Sequence, residues 1–273
     1  MGLPYGCKSG VCGSCKARVL KGNVAHTQTA SLALSDAERA EGISLMCCTS
    51  ARSNLSLEVK EVQGSKDYPV KIMPARIQEM RQVASDVIVL GLKLPANEPF
   101  RYRPGQYIDI LLRDGQRRSF SIANPSKAGD PLELHIRKVE GGQFTSHVFS
   151  GMKERDIVRI EGPLGSFFLR EDSDAPIILL AGGTGFAPIK AIVEAAIESQ
   201  LSRPMHLYWG ANRPEGLYLD ALANEWVKSL PWFQYTPVVS AATGQDAWTG
   251  RSGLVHHALL EDYPDLADHQ VYA

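Results

Sequence analysis

The stretch PYGCKSGVCGSCKARVLKG, from Pro4 to Gly22, places three cysteines within nine residues. Glycine and serine fill the gaps between them, so the backbone can wrap tightly without clashes from Cβ atoms. Three thiols at this spacing suit disulfide staples, a zinc site or an iron–sulfur cluster. The rest of the sequence has to decide between these roles.

Composition narrows the choice. The chain has 273 residues, of which 22% are charged and 44% hydrophobic, with a formal net charge of −1. These values predict an ordinary globular protein of two or three domains, without the basic field that nucleic acid or an anionic membrane would attract. The sequence shows neither a secretion signal nor an apolar run long enough to span a bilayer, so we expect a cytoplasmic protein that binds no membrane.

The five cysteines are all found before residue 50. Disulfides would be spread through the core they hold, so this clustering favours metal binding. Cys7, Cys12 and Cys15 are spaced C-x4-C-x2-C, and 31 residues separate Cys15 from Cys47. That is the spacing of plant-type 2Fe–2S ferredoxins. We therefore predict these four cysteines as cluster ligands and Cys48 as a packed free thiol.

A zinc site remains the alternative, although zinc ribbons usually carry two C-x2-C pairs and this chain has one. Between the third and fourth cysteines, Ser35 and Glu38 are spaced as a capping box, with Gly42 as a stop signal. This pattern predicts a short helix that leads the chain back to Cys47.

Three segments follow from the patterns along the chain. We predict a ferredoxin-like domain over residues 1–65, a polar linker over 63–70, a β-rich domain over 70–171 and an alternating α/β domain over 172–273. Alternation of apolar and polar residues indicates strands in the β-rich domain, at 86–94, 106–112, 118–123, 132–139 and 156–163. In the last domain, short apolar strands alternate with helices, which implies a parallel sheet.

The β-rich segment contains RSFS, from Arg118 to Ser121. Here the chain resembles the ferredoxin–NADP reductase superfamily, whose flavin domain carries R-x-Y/F-S. The resemblance implies that Arg118 neutralises a flavin phosphate, that Phe120 packs against the flavin and that Ser121 hydrogen-bonds near flavin N5. Ser121 is thereby the candidate catalytic residue. Phenylalanine stands where tyrosine is commoner, so stacking is kept and a hydroxyl is lost.

A second flavin segment, LHIRKVEGGQFTSHVF, runs from Leu134 to Phe149. The resemblance implies that its strand lines the flavin ring, through His135, Ile136, Arg137 and Lys138. It also implies that the start of the following helix meets the flavin pyrophosphate, through Gly142, Thr145 and Ser146. Either motif alone would also suit a plain strand with an exposed arginine; together they favour a bound FAD.

The stretch LLAGGTGFAPIKAI, from Leu179 to Ile192, is a strand, a glycine-rich turn and a helix. Glycines allow close backbone approach, and a helix N-terminus offers N–H groups and a positive dipole to a pyrophosphate. In the resembled family this turn binds the nicotinamide dinucleotide. The residues so implied are Gly182, Gly183, Thr184, Gly185 and Pro188.

Two further stretches complete the resemblance. EGPLGSF flanks the nicotinamide in the family, which implies Gly162, Pro163 and Gly165 here, and YWGANR borders the adenosine ribose, which implies Gly210 and Arg213. A 2′-phosphate is usually clamped by more than one basic residue, and Arg213 stands alone. The sequence therefore favours NADH over NADPH.

The order of the segments resembles NADH-dependent flavin reductases with an N-terminal plant-type ferredoxin. This implies a partial β-grasp ferredoxin, a six-stranded antiparallel Greek-key flavin-binding barrel and a parallel-sheet α/β nicotinamide-binding domain. It implies electron transfer from NADH through FAD and a 2Fe–2S cluster to an acceptor protein. One branch of the group serves a dehydratase in deoxysugar synthesis, and motifs such as WTGRSG resemble that branch more than the branch serving aromatic or alkane oxygenases.

The chain also departs from the family. In the family a longer stretch precedes the cluster loop, and further residues follow the position of HQVYA. We therefore expect a chain that is incomplete at both ends. This leaves open a hypothesis of another class, a cofactor-binding remnant that does not turn over.

Overall fold

The computed structural model describes residues 2–27, 33–62, 67–244 and 246–273. The chain divides into two compact units. The first comprises Met1–Val70 with Gly162–Phe167, and the second Lys71–Glu161 with Phe168–Ala273. Residues 63–66, where the predicted linker begins and the predicted ferredoxin boundary falls, lie outside the described residues.

The first unit carries small antiparallel sheets and one short helix. Its elements are β1 (Lys16–Lys21), β2 (Val24–His26), α1 (Asp36–Ala40), β3 (Ile43–Leu45), β4 (Thr49–Ala51) and β5 (Ser56–Glu58). The strand order is β3-β1-β5 in one sheet, and β2 pairs with β4 in the other. A helix packed on a small sheet is the partial β-grasp arrangement that the sequence predicted.

The predicted capping box begins α1. Ser35 Oγ accepts the Glu38 N–H at 3.2 Å, and Glu38 Oε2 accepts the Ser35 N–H at 2.9 Å. Gly42, just past the helix, has φ of +79°. An L side chain rarely adopts that conformation, so glycine ends the helix there.

The second unit begins with antiparallel strands. They are β6 (Lys71–Ala84), β7 (Val87–Lys93), β8 (Tyr107–Leu111), β9 (Arg117–Ser121), β10 (Leu132–Arg137) and β11 (Ile157–Leu164), with α2 (Gln143–Ser150) between the last two. The last residues of β11, from Gly162, are counted with the first unit. The strands follow the order β10-β7-β6-β11-β8-β9. The two edges of the sheet meet, because Ile122 bridges Leu134 and the Ala123 N–H donates to Glu133 O at 2.8 Å. The sheet therefore closes into the predicted six-stranded barrel.

Strand β6 has no counterpart among the five strands placed from the sequence. It contains Pro74, and proline within a run argues against a central strand. Here β6 lies between β7 and β11. Its inward residues Met73, Ala75 and Ile77 are each no more than 2% exposed, so burial outweighs the missing donor of Pro74.

The unit continues with the predicted parallel sheet. Its elements are β12 (Ile177–Gly182), α3 (Phe186–Glu198), β13 (Met205–Ala211), α4 (Asp220–Ser229), β14 (Phe233–Val239), β15 (Arg251–Ser252), α5 (Val255–Asp262) and β16 (Gln270–Tyr272). All pairs are parallel, in the order β15-β14-β13-β12-β16. Each helix runs between two strands, so the carboxyl ends of β12, β13 and β14 share one edge. No helix in the described part of the chain is long and apolar enough to cross a membrane.

Candidate functional site

The cysteine loop directs backbone N–H groups at sulfur. The amides of Ser9, Val11 and Cys12 each donate to Cys7 Sγ at 3.4 Å, and the Cys7 amide donates to Cys12 Sγ at the same distance. Burial raises the pKa of Cys7, but the hydrogen bonds from Ser9, Cys12 and Val11 outweigh it and lower the pKa to about 6. The loop therefore favours a thiolate, the form that binds metal.

Glycine is required at several points of this loop. A Cβ added at Gly6 would lie 3.0 Å from Cys12 Sγ, so a side chain there would crowd the sulfur. Gly10 and Gly13 have φ of +76° and +73°, the left-handed region that glycine adopts without strain. These glycines allow the loop backbone to fold closely around the thiols.

The third and fourth predicted ligands approach each other. Cys15 Sγ and Cys47 Sγ lie 3.2 Å apart, and Cys47 Sγ lies 3.6 Å from Cys48 Sγ. Burial, followed by the neighbouring thiols, raises the pKa of Cys47 to about 12. Adjacent thiolates repel each other, and the iron of a 2Fe–2S cluster would offset their charge; the four thiols fit the donor set of such a cluster.

Cys48 is 5% exposed and belongs to a small core with Cys15, Leu34 and Leu45. This placement suits the packed thiol expected from the sequence. In the described ranges, no three His, Cys, Asp or Glu side chains are grouped to hold a single metal ion.

Arg118 and Ser121, the two polar residues of β9 that the resemblance places at the flavin, are half-buried. Arg118 donates to Arg117 O at 2.8 Å and to Gln116 Oε1 at 2.6 Å, and it forms no ion pair with any described residue. Its neighbour Arg117 instead pairs with Glu161 and lies 3.6 Å from Asp109 Oδ2. Of the two arginines, Arg118 is the one whose charge is left for an anionic ligand.

Phe120 and Ser121 follow on the same strand. The Phe120 ring packs against Phe144 of α2, with centroids 5.6 Å apart. Ser121 is half-buried and pairs in register with Tyr107 of β8. The strand therefore presents a cation, an aromatic ring and a hydroxyl in succession.

The second flavin segment is more buried than its predicted role required. Ile136 is 0% exposed within the barrel core and His135 is 4% exposed. Neither has side-chain surface to offer a flavin ring, so any contact from them would come from the backbone. Arg137 is half-buried, with Nε 3.1 Å from Asp86 Oδ2 in an ion pair that lacks hydrogen-bond geometry, and Lys138 is exposed.

The predicted helix start at Gly142 is present, since Gly142 is the N-cap of α2. Thr145 Oγ1 accepts the Val139 N–H at 3.1 Å and the residue is 8% exposed. Its hydroxyl therefore closes the turn. The Ser146 N–H donates to Gly142 O at 2.9 Å, so this amide is already occupied. The amides of the first helical turn have no partner within a helix, and they are the groups that could bind a phosphate.

The glycine turn lies between β12 and α3. A Cβ at Gly182 or Gly185 would meet nothing within 4 Å, whereas one at Gly183, where φ is +52°, would lie 2.4 Å from Arg137 Nη1. Trp209 Nε1 donates to Gly183 O at 2.9 Å and holds the turn from below. Thr184 and Pro188 are half-buried. The turn is thus fixed on its inner side and open on its outer side, which fits a dinucleotide.

At the end of β13, the two predicted residues differ in character. A Cβ at Gly210 would lie 2.7 Å from Val255 Cβ, so this glycine lets α5 pack on the sheet. Arg213 is exposed, and its Nη1 lies 3.3 Å from Asp246 Oδ2. Asp246 is held by Thr243, whose N–H and hydroxyl donate at 2.6 and 2.8 Å.

The stretch around Gly162 belongs to the first unit. Gly162, Pro163 and Gly165 are buried, and Gly165 has φ of +87°. In the same unit, Ser166 and Tyr5 exchange hydrogen bonds, with Ser166 Oγ accepting the Tyr5 N–H at 2.9 Å and the Ser166 N–H donating to Tyr5 O at 2.9 Å.

Sequence reasoning missed an ionic group formed by Lys190 of α3 with Glu194 of the same helix and Glu133 of β10, in which the lysine is buried. The one signal was a lysine within the apolar face of a helix. Its partner Glu133 lies too far away in sequence for any local pattern to connect them.

Comparison with known proteins agrees with this geometry. Residues 1–52 match the 2Fe-2S iron-sulfur cluster binding domain, residues 74–169 the oxidoreductase FAD-binding domain and residues 179–273 the oxidoreductase NAD-binding domain. These matches favour the cluster over the zinc alternative for the cysteine loop.

Individual relatives extend over nearly the whole chain. CDP-6-deoxy-L-threo-D-glycero-4-hexulose-3-dehydrase reductase of Yersinia pseudotuberculosis is 43% identical over 99% of this chain and 80% of that protein. The reductase component 1 of terephthalate 1,2-dioxygenase from Comamonas is 35% identical over 99% of this chain and 79% of that protein. The crystal structure of the Amycolatopsis cytochrome P450 reductase GcoB superposes with a TM-score of 0.75 at 32% identity, covering 98% of this chain and 81% of that one. The chain therefore belongs to the family of NADH-dependent iron–sulfur flavoprotein reductases, the electron-transfer components built from ferredoxin-like, FAD-binding and NAD-binding domains.

Proposed function

We propose that this reductase delivers electrons from NADH to a partner dehydratase that acts on a deoxysugar nucleotide. The observation that supports this partner is the 43% identity to a dehydrase reductase across 99% of the chain. The identity to the terephthalate dioxygenase reductase component is lower, at 35%. When bound, FAD accepts two electrons as hydride and releases them singly, and a 2Fe–2S cluster carries one at a time.

The residues of the barrel bind and orient the flavin. We assign Arg118 to a flavin phosphate because its charge has no carboxylate partner among the described residues. Phe120 packs against the ring system and Ser121 hydrogen-bonds near N5. First-turn amides of α2, which follow the Gly142 N-cap, meet the pyrophosphate.

The glycine turn binds the dinucleotide. Gly182 and Gly185 leave open space above the backbone, and the N-terminus of α3 offers amides and a positive dipole to phosphate. Arg213 borders the ribose at the carboxyl edge of the sheet, where ligands of open α/β sheets bind. Because Asp246 already neutralises Arg213, a 2′-phosphate gains little there, which supports NADH over NADPH.

Cys7, Cys12, Cys15 and Cys47 hold the cluster in this proposal, and three amides on Cys7 Sγ stabilise the charge on sulfur. Cysteines that form no disulfide suit the reducing cytoplasm, which we propose as the location.

The second candidate acceptor is an oxygenase component. It is favoured by the terephthalate dioxygenase reductase and by GcoB, which match over nearly the same span. Acceptor choice can be measured directly. Anaerobically reduced protein is mixed with a CDP-4-keto-6-deoxyhexose 3-dehydratase and its substrate, or with the terephthalate dioxygenase oxygenase component, and reoxidation is followed by stopped-flow absorbance.

We expect rapid reoxidation by the dehydratase and slow reoxidation by the oxygenase. The reverse order would replace the proposed partner with the second candidate. Cofactors that bind but are never reduced by NADH would indicate a binding protein without turnover.

A further inference from the structure

A buried lysine joins the nicotinamide-binding part of the second unit to its barrel. Lys190 lies in the second turn of α3, and its side chain is 9% exposed. Its Nζ lies 2.8 Å from Glu194 Oε1 on the same helix and 3.1 Å from Glu133 Oε1 on β10. It also donates to Ala123 O, two residues beyond Ser121, at 3.2 Å.

The same group of residues continues toward the glycine turn. Glu133 Oε1 lies 2.8 Å from His135 Nε2, and Tyr218 Oη lies 2.7 Å from His135 Nδ1. Burial lowers the pKa of His135, so the ring is neutral at neutral pH. Since a carboxylate can only accept, Nε2 carries the proton and Nδ1 accepts from the Tyr218 hydroxyl.

Aromatic contacts complete the path to the turn. The ring of Tyr218 meets the edge of Trp209 with centroids 5.3 Å apart, and Trp209 Nε1 donates to Gly183 O at 2.9 Å. The strand that carries Ser121 and the turn that begins α3 are therefore connected twice, through Lys190 and through Tyr218.

Stability alone is a poor explanation for this arrangement. A buried ion pair loses much of its attraction to the cost of removing both charges from water, and well-packed apolar residues often replace it without loss. What such a pair does provide is a unique geometry, because Lys190 reaches all of its acceptors only when α3 and the strand ends near Ala123 are in one relative position.

We propose that Lys190 is a positioning residue for hydride transfer, holding the glycine turn of α3 in register with the Ser121 strand. This rests on the proposed function, in which those two segments bind the nicotinamide dinucleotide and the flavin. Lys190 acts through the backbone of Ala123 and through Glu133. Small displacements of reacting groups are costly, since a shift of about 1 Å can slow a reaction about a hundredfold.

The chain offers a matched control. Lys127 Nζ lies 2.6 Å from Glu198 Oε1, and so also joins the barrel side to α3, but at the surface, with the lysine side chain 56% exposed. Lys127→Met removes a lysine–glutamate pair to the same helix without touching the buried group. We expect it to behave as the unmodified protein.

The first readout needs no turnover. Hydrogen–deuterium exchange of purified Lys190→Met is compared with the unmodified protein and with Lys127→Met, by mass spectrometry of peptides covering 120–126 and 182–190. We expect faster exchange in both peptides of Lys190→Met alone, while β6 peptides stay unchanged. Unchanged exchange in both segments would overturn the proposed link.

The second readout is stopped-flow reduction of the flavin by NADH. We expect the limiting rate for Lys190→Met to fall by about tenfold or more, with the Kd for NADH within about twofold and FAD still bound. A residue that merely stabilised the fold would lower FAD content and leave the limiting rate of the folded fraction unchanged, and that pattern would contradict the proposal.

If Lys190→Met does not fold, Glu133→Gln provides the same two measurements, because it keeps the side-chain shape and removes the charge across from Lys190. Slower reduction with faster exchange would support the proposal, and normal values of both would refute it. Failure of NADH to reduce the flavin of the unmodified protein would instead refute the proposed function, while the exchange result still decides whether Lys190 connects the two segments.

Discussion

The glycine turn allows a sharp test, because Gly185→Ala separates ligand binding from folding. Gly185 has φ of −58° and ψ of −12°, so alanine fits its backbone, and a Cβ there would meet nothing within 4 Å. Replacing glycine by alanine at such a site stabilises a protein by about 0.4–1 kcal/mol through the unfolded chain, which corresponds to a rise in Tm of about 1–4 °C.

In the proposed binding mode, the same methyl group would occupy open space that the dinucleotide needs. Close backbone approach is what the glycine permits, so we expect affinity for NADH to fall by about tenfold, or about 1.4 kcal/mol. The assay combines thermal unfolding with NADH titration of the flavin-loaded protein. Gly91→Ala in the barrel wall, where the new Cβ would make an ordinary contact 3.4 Å from Glu79 Cβ, serves as the control.

Two results would refute this reasoning. A Gly185→Ala protein that binds NADH normally would show that the open face of the turn is not the binding face. A protein that loses NADH affinity only in proportion to lost stability would show that the glycine is needed for the fold.

Three further predictions concern the other sites. Arg118→Gln is expected to weaken FAD binding by about tenfold or more, from the loss of a charge-assisted phosphate contact, whereas Arg117→Gln on the same strand is not; flavin retained equally by both variants in equilibrium dialysis would contradict the assignment. Cys47→Ser is expected to lose the cluster and Cys48→Ser to keep two irons with acid-labile sulfide, and iron analysis giving the opposite result would make Cys48 the ligand. Burial lowers the pKa of His206 from 6.5 to about 4, so as pH falls the unfolded chain binds a proton before the folded one does. The free energy of unfolding should therefore decline as pH falls from about 6.5 toward 4. In urea unfolding at several pH values, His206→Gln should flatten that decline, and an unchanged decline would be inconsistent with a buried neutral ring.

Features that depend on residues close together in the sequence could be predicted, and features that depend on distant residues could not. The capping box of Ser35 and Glu38 and the strand–turn–helix around Gly183 follow from neighbouring residues, and both are present. Strand β6 is absent from the strands predicted from the sequence, and its run includes Pro74; in the fold its inward side chains Met73, Ala75 and Ile77 are buried in the barrel.

Other features depend on distant partners. The sequence motif predicts that Gly210 borders a ligand, whereas in the fold Gly210 packs closely against Val255 of α5. Ile136 reads as a residue of a flavin-lining strand, but closure of the barrel buries it. Lys190 contacts Glu133 and Ala123, which lie far away in sequence. The periodicity of α3 could not predict these contacts.

The proposed function requires that electrons from NADH reach both the flavin and the cluster of this chain. The most direct test is anaerobic addition of excess NADH to the purified protein containing flavin and iron, followed by visible absorption and low-temperature EPR. We expect loss of flavin absorbance together with the rhombic signal of a reduced 2Fe–2S cluster. Flavin and cluster bands that persist under NADH but bleach with dithionite would contradict the proposed function, because both cofactors would then be bound without any entry for hydride.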